Sequence, residues 1–203
     1  MCALPKLIFH EEDHTYYYDG KKLPSVTDIL SILDDFGGVS PAIIAQAARR
    51  GSLVHEYTQL IDYGADPNEL EIEPELVGYV QAWVNFCHDW QPEWELIEQP
   101  VHTDDYAGTL DRMGNIAGVR TLVDIKSTAG ANRKQRVKWA AQLHGYNITF
   151  PREQRAERLW DVLLKKDGKY TVYDAKDSCE RYGFRAKELF VMCLKTHKIL
   201  NGG

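Results

Sequence analysis

The sequence predicts an α/β (α+β) domain, with a central mixed sheet of about five strands flanked by helices and a small β-hairpin at the N-terminus. Three observations lead there. At 203 residues, with 44% hydrophobic and 27% charged content, the chain has the size and composition of one globular domain able to bury a sizeable core. Segments with helical periodicity alternate with runs rich in β-branched and aromatic residues. Glycine-bearing turns separate the strand-like runs, and residues that favour helix N-caps precede several of the helical ones. One domain is expected over 1–203, with 1–39 as the hairpin and lead-in and 40–203 as the core.

In chain order, Leu7-Ile8-Phe9 and Tyr16-Tyr17-Tyr18 flank a polar stretch, and Asp19-Gly20 turns the chain before Lys21-Lys22-Leu23, which is a hairpin pattern. The tyrosines suit packing on a two-sided strand, with stacking on unpaired bases as the alternative. Pro24-Ser25-Val26-Thr27 leads into a short helix, Asp28 to Leu33. Ser40-Pro41 places an N-cap serine before a first-turn proline, predicting a helix from Ala42 to Arg50 that breaks at Gly51. Ser52 then caps a second helix, Leu53 to Tyr63, ended by Gly64, with His55 in its first turn. An acidic loop, Asp66 to Glu75, precedes a helix from Pro74 to Trp90 whose apolar stripe is Val77, Val80, Trp83, Val84, Phe86 and Cys87. Trp94 to Thr103 reads as a strand with Glu98 near its middle.

Gly108 to Lys126 reads as two strands joined at Ala117-Gly118, where glycine supplies the permissive turn position. Folding there sets Asp111 roughly opposite Asp124. Alternate residues of a strand share a face, so Asp124 and Lys126 point one way while Val123 and Ile125 point the other. Two carboxylates and an ammonium converge on one spot. Clustered oxygens on rigid strands suit a hard divalent cation, with the Ile125 carbonyl as a further ligand. Lys126 beside such an ion would meet a phosphate or a hydrolytic water. The same residues also suit a surface salt bridge, from Asp124 to Lys126 or to Arg112, and the triplet alone does not decide.

After the hairpin, Gly130 to Lys138 reads as a polar, basic connection into a helix that carries Gln142 and Tyr146 on one face, four residues apart. Arg158 to Leu164 and Lys169 to Asp174 form another hairpin around Lys166-Asp167-Gly168. A closing helix is expected from about Cys179 to Leu200, burying Phe184, Leu189, Phe190, Cys193 and Leu194.

Taken together, Gly108-x-x-Asp111, Asp124-Ile125-Lys126 and Gln142-x-x-x-Tyr146 resemble the core of the PD-(D/E)xK nuclease superfamily, in its RecB-like and phage-exonuclease branch. Upstream, Arg50-Gly51-x-x-x-His55 resembles that branch's first motif. The four motifs occur in the expected order between Arg50 and Tyr146. The resemblance implies a restriction-endonuclease-like core and a DNA-hydrolysing enzyme acting in phage or bacterial recombination, repair or replication. It implies one or two Mg²⁺ or Mn²⁺ ions held by His55, Asp111, Asp124 and the Ile125 carbonyl. Lys126 would act on the water or the phosphate, with Gln142 and Tyr146 positioning metal-site groups or the DNA strand. Glu98 matches a glutamate that often precedes the Gly-x-x-Asp motif, and an exposed strand residue is its alternative. Exonuclease action is the leading expectation. A structure-specific or nicking endonuclease and a catalytically silent nucleic-acid-binding module are the others.

The formal net charge of −6 argues against a generic DNA-coating protein, because non-specific affinity comes mostly from Lys and Arg on phosphates. The charge is uneven, however. Asp62 to Glu75 holds six acidic residues and no basic one, whereas Arg133 to Arg158 holds seven basic residues against Glu153 and Glu157. A local basic patch can steer a polyanion. Arg50, Ser52, Arg133, Lys134, Arg136 and Lys138 are therefore the expected DNA-backbone contacts, with single-stranded or duplex ends as the partner and a recombination or replication protein as a further one. Cysteines 2, 87, 179 and 193 show no C-x-x-C pairing. The spacing that holds an iron–sulfur cluster in some RecB-like nucleases is missing, so no cluster is expected. Without a signal-peptide pattern or an apolar run of transmembrane length, the expected compartment is the cytoplasm.

Overall fold

The computed structural model describes residues 6–10, 12–34, 40–176 and 185–202. The N-terminal hairpin is a three-stranded antiparallel sheet, β1 (Leu7–His10), β2 (Thr15–Tyr18) and β3 (Lys21–Leu23). Tyr16 and Leu23 are buried against Ala107, and the Ala107 N–H donates to the Pro24 carbonyl at 3.0 Å, which ties the small sheet to the core. Helix α1 (Val26–Leu30) begins two residues earlier than expected because Ser25 and Asp28 form a reciprocal capping box. It continues as a 3₁₀ turn, Ser31–Leu33.

The break expected at Gly51 does not occur. Helix α2 runs unbroken over Pro41–Asp62, and the Ser52 hydroxyl donates to the Ala48 carbonyl one turn back at 3.3 Å instead of capping a new helix. One interior glycine costs only about 1 kcal/mol. The burial of Leu53, Val54, Tyr57 and Ile61 against the sheet outweighs that cost. His55 consequently stands mid-helix on a rigid element, on one face with Thr58 and Asp62. Helix α3 (Val77–Trp90) ends at Gln91 in a left-handed conformation.

The central sheet comprises β4 (Glu93–His102), β5 (Ala107–Ile116), β6 (Val119–Ser127), β7 (Arg158–Leu164) and β8 (Tyr170–Asp174), in sequence order. Only β6 and β7 pair in parallel. Parallel neighbours need a long crossover, and helix α4 (Arg133–Asn147) supplies it. The Ala117-Gly118 turn forms as expected, with φ of 51° and 80°, the double left-handed geometry that matches strand twist. The basic stretch is not a connection: Asn132 and Gln135 make a capping box, so Arg133 to Lys138 are the first turns of α4. Helix α5 (Ala186–Leu200) closes the chain. The expected start of that helix, including Cys179 and Phe184, lies outside the described residues.

Both sheet faces are covered. Helices α1, α4 and α5 pack over Leu110, Leu122 and Leu159, burying Leu143, Tyr146 and Phe190. Helices α2 and α3 pack over Val123, Ile125 and Val162, burying Val54, Trp83 and Phe86. The architecture is a mixed α/β fold with a five-stranded sheet, as the sequence predicts. Among the described residues no helix is long and apolar enough to cross a membrane.

Candidate metal centre

Strand register brings the acidic residues into a row. β5 and β6 pair Arg112 with Val123, so Asp111 lies level with Asp124 one step further along. β4 and β5 pair Ile97 with Arg112 and Gln99 with Leu110, which sets Glu98 level with Asp111. Beyond the Arg112–Val123 pair, Asp111 Oδ2 reaches across to accept the Ile125 N–H at 2.6 Å. This contact fixes the Asp111 carboxylate beside the Ile125 backbone.

Helix α2 lays His55 over this row. His55 Nδ1 is 3.1 Å from Glu98 Oε1 and 3.8 Å from Asp111 Oδ1. One ligand atom from each of the three residues lies within 4.8 Å of the others, the spacing at which a single cation can be shared. Glu98 adopts φ of +44°, a conformation costly for a residue with a side chain, close to an irregularity in the β4–β5 register between Trp94 and Leu96. Glu98 therefore belongs to the cluster and is not an exposed strand residue.

Arg112 does not pair with Asp124. Its side chain is fully buried on the opposite sheet face, where Nε donates to Asp62 Oδ2 at 2.5 Å, Nη1 to Glu98 Oε1 at 2.7 Å and Nη2 to Thr58 Oγ1 at 3.1 Å. The indoles of Trp83 and Trp94 donate to Asp62 Oδ1 at 3.1 and 3.2 Å. This network holds Glu98 from behind.

Asp124 forms an ion pair with Lys126. The Lys126 ammonium also donates to Gln142 Oε1 at 3.0 Å and lies 5.8 Å from the centre of the Trp139 ring. Gln142 Nε2 donates to the Tyr146 hydroxyl at 3.0 Å. Tyr146 in turn packs against Gly108, where an added Cβ would stand 2.7 Å from Tyr146 Cε1; glycine is needed for that approach. The residues of all four sequence motifs thus meet around one cluster. A cleft of about 560 Å³ opens beside Gly108, Thr109 and Tyr146, walled by Tyr16, Lys22 and Ser25 among others.

The electrostatics are those of crowded, desolvated charges. Burial opposes a charged His55, but Asp111, Glu98 and Asp124 outweigh it and raise its pKa to about 9. Burial, reinforced by Asp124 and Glu98, raises Asp111 to about 7 against the pull of His55. Burial would raise Glu98, yet His55 and Arg112 hold it below the ordinary value. Burial would lower Lys126, yet Asp124, Asp111 and Asp161 keep it raised. Like charges in a dry site repel unless a cation joins them.

The expected DNA-contact residues divide. Arg50 is not at a helix break: its Nε donates to the Ser127 carbonyl at 3.0 Å, clasping α2 to the end of β6. The Ser52 hydroxyl is taken by the Ala48 carbonyl. Lys138 pairs with Asp34 at 2.5 Å. Arg133 and Lys134 are exposed at the start of α4, and Arg136 lies over the Tyr173 ring at 5.3 Å.

One residue escaped the sequence reading. Asp161 lies level with Asp124 across the parallel β6–β7 pair. It is fully buried, and among the described residues neither carboxyl oxygen has a hydrogen-bond partner. Burial, with Asp124 adding to it, raises its pKa well above the carboxylate value. The available signal was an aspartate inside the otherwise apolar run Leu159 to Leu164. The buried Asp62–Arg112 pair was missed as well, and nothing local in the sequence marks it.

No protein family matches this chain, and no curated protein matches it. Among solved structures, the "Crystal structure of SSO0001" is similar at 16% sequence identity, with a TM-score of 0.37. That similarity covers 74% of this chain and 66% of the other, so the chain spans just under two thirds of that protein's length.

Proposed function

We propose that this protein is a cytoplasmic, Mg²⁺- or Mn²⁺-dependent deoxyribonuclease, acting as an exonuclease on DNA ends during phage or bacterial recombination, repair or replication. The observation that carries the reading is the convergence of His55, Glu98 and Asp111 next to the Asp124–Lys126 pair. The donor set fits such a cation: carboxylate oxygens suit hard divalent ions, and one imidazole nitrogen admits Mn²⁺. The fit is also electrostatic, since a cation would relieve the crowding that lifts the Asp111 pKa to about 7. His55, Glu98, Asp111 and Asp124 would hold the ion, with the Ile125 carbonyl as a further oxygen.

When bound, the ion supplies an activated water and charge neutralisation at the phosphoryl group. The remaining work falls to side chains. His55 must give up its proton to serve as a ligand. Lys126, held charged by its carboxylate neighbours, offers its ammonium to the charge developing on the phosphate. Gln142 aims that ammonium, and Tyr146 fixes Gln142. The neighbouring cleft gives an incoming strand a path past Gly108 and Tyr146.

Linear and covalently closed circular DNA, each with Mg²⁺, with Mn²⁺ and with chelator, test the proposal. An exonuclease degrades only the linear form and stops under chelation. Nicking of the closed circle would instead identify an endonuclease. Binding without hydrolysis under every metal condition would identify a silent binding module and refute the enzyme.

A further inference from the structure

The proposed hydrolysis leaves Asp161 without a task. A buried carboxyl with no donor is costly, and among the described residues both Asp161 oxygens are in that state. Its place in the sheet is specific. The β6–β7 register puts Asp161 beside Asp124 and Leu163 beside Lys126, and alternate residues share a face. Asp124, Lys126 and Asp161 therefore all point toward α4, whose Gln142 touches the ammonium.

We propose that Asp161 is the acceptor to which the Lys126 ammonium shifts when a divalent cation takes the Asp124 carboxylate. This rests on the metal-site reading given above. In the metal-free protein Asp124 holds Lys126. A cation bound at Asp124 competes for that carboxylate and repels the ammonium, and in a buried site the repulsion is weakly screened. The Lys126 side chain is only 19% exposed, so most of it stays inside the site. Asp161, one strand away, presents a carboxyl whose oxygens have no hydrogen-bond partner among the described residues. Asp161 is then a positioning residue: it keeps Lys126 charged and inside the site after the ion arrives, and it lowers the competition that the ion faces.

A double-mutant cycle on metal affinity tests this without reference to catalysis. Mn²⁺ is titrated calorimetrically into the wild type, Asp161→Asn, Lys126→Met and the double variant, with a melting curve for each to establish folding. Asp161→Leu, similar in shape and flanked by Leu159 and Leu163, serves if the asparagine variant does not fold. Asp161→Asn is expected to weaken Mn²⁺ about tenfold, the scale of an outer-sphere loss. In the Lys126→Met background the same change should alter affinity by less than about twofold. An equal loss in both backgrounds would make Asp161 a direct ligand and overturn the shift. Unchanged affinity in Asp161→Asn would overturn it as well and leave Asp161 a scaffold residue. Wild-type affinity that is indifferent to His55→Ala would remove the metal site itself, a result distinct from either of these.

Discussion

Asp62 and Asp161 are buried aspartates on opposite faces of one sheet, and their surroundings differ in kind. Asp62 accepts from Arg112 and from the indoles of Trp83 and Trp94. Asp161 accepts from none of the described residues. Burial raises the pKa of both; at Asp62 Arg112 and the indoles oppose it with charge and hydrogen bonds, and at Asp161 the charge of Lys126 opposes it without a hydrogen bond. The Asp62 face is a closed account of donors and acceptors, whereas the face carrying Asp111, Asp124 and Asp161 holds carboxyls in excess of its cations. Excess of one charge in a dry site is unstable by itself and is a mark of function. The Asp62 network supports folding, and the open row is where the proposed metal site falls.

The largest test of this contrast is activity. Asp111→Asn and Asp124→Asn should each lower DNA hydrolysis on the order of 10²–10³-fold or more, the scale of losing one preorganised charged group. Asp111→Asn should remain folded, because removing a charge from a like-charged cluster relieves repulsion; Asp124→Asn takes the partner of Lys126 and should lose part of its stability, so a melting curve accompanies its assay. Near-normal turnover of Asp124→Asn with Mg²⁺ would remove the site from consideration.

The complementary change on the other face should act on stability. Asp62→Asn takes one partner from a buried ion pair, and such losses cost about 3–5 kcal/mol. Urea denaturation of the metal-free protein measures it. Asp161→Asn, which forfeits no hydrogen bond, should change stability by less than about 1 kcal/mol or raise it. If the two variants were equally destabilised, the distinction between the faces would fail.

How much of this was legible beforehand depended on whether the signal was local. The turn at Ala117-Gly118 fixed the hairpin, and a hairpin is symmetric about its turn, so Asp111 opposite Asp124 followed directly. Gly51 is a local breaker, and the packing of Val54 and Tyr57 that carries α2 through it is not encoded locally. The start of α4 was hidden because a capping pair, Asn132 and Gln135, lies within a basic run. Glu98 and Asp161 depend on register between strands separated by a bulge or a helical crossover, which no local pattern encodes. Of the two salt bridges open to Asp124 in the sequence, the one to Lys126 forms, while strand alternation turns Arg112 to the far face, toward Asp62.

Titration offers a finer test. His55 is raised from 6.5 to about 9 and Asp111 from 3.8 to about 7, so both hold a proton more tightly when folded. Their stabilising contribution is complete below the unfolded values and is lost as pH rises, through about 7 for Asp111 and about 9 for His55. A divalent cation binds the deprotonated forms, so its stabilisation should grow over the same range. The gap in melting temperature between Mg²⁺-bound and metal-free protein should be wider at pH 8 than at pH 6, and His55→Ala should narrow the difference. A gap independent of pH would mean that the ion displaces neither the Asp111 nor the His55 proton.

The smallest expected effect concerns the bases and turns on exposure alone. The side chain of Lys138 is only 21% exposed, beside Asp34, and Arg133 and Lys134 are exposed where α4 begins. Each lysine or arginine that neutralises a phosphate adds about 0.7 to 0.9 to the slope of log affinity against log salt. If the DNA backbone passes the start of α4, replacing Arg133 and Lys134 with glutamine should flatten that slope by about 0.7 to 0.9 per residue, measured by binding in Ca²⁺ or in an Asp124→Asn background to prevent cleavage. Lys138→Gln should flatten it less, because that side chain is mostly buried. A larger change from Lys138 than from the exposed pair would reverse the assignment, and an unchanged slope in both would place the DNA elsewhere on the surface.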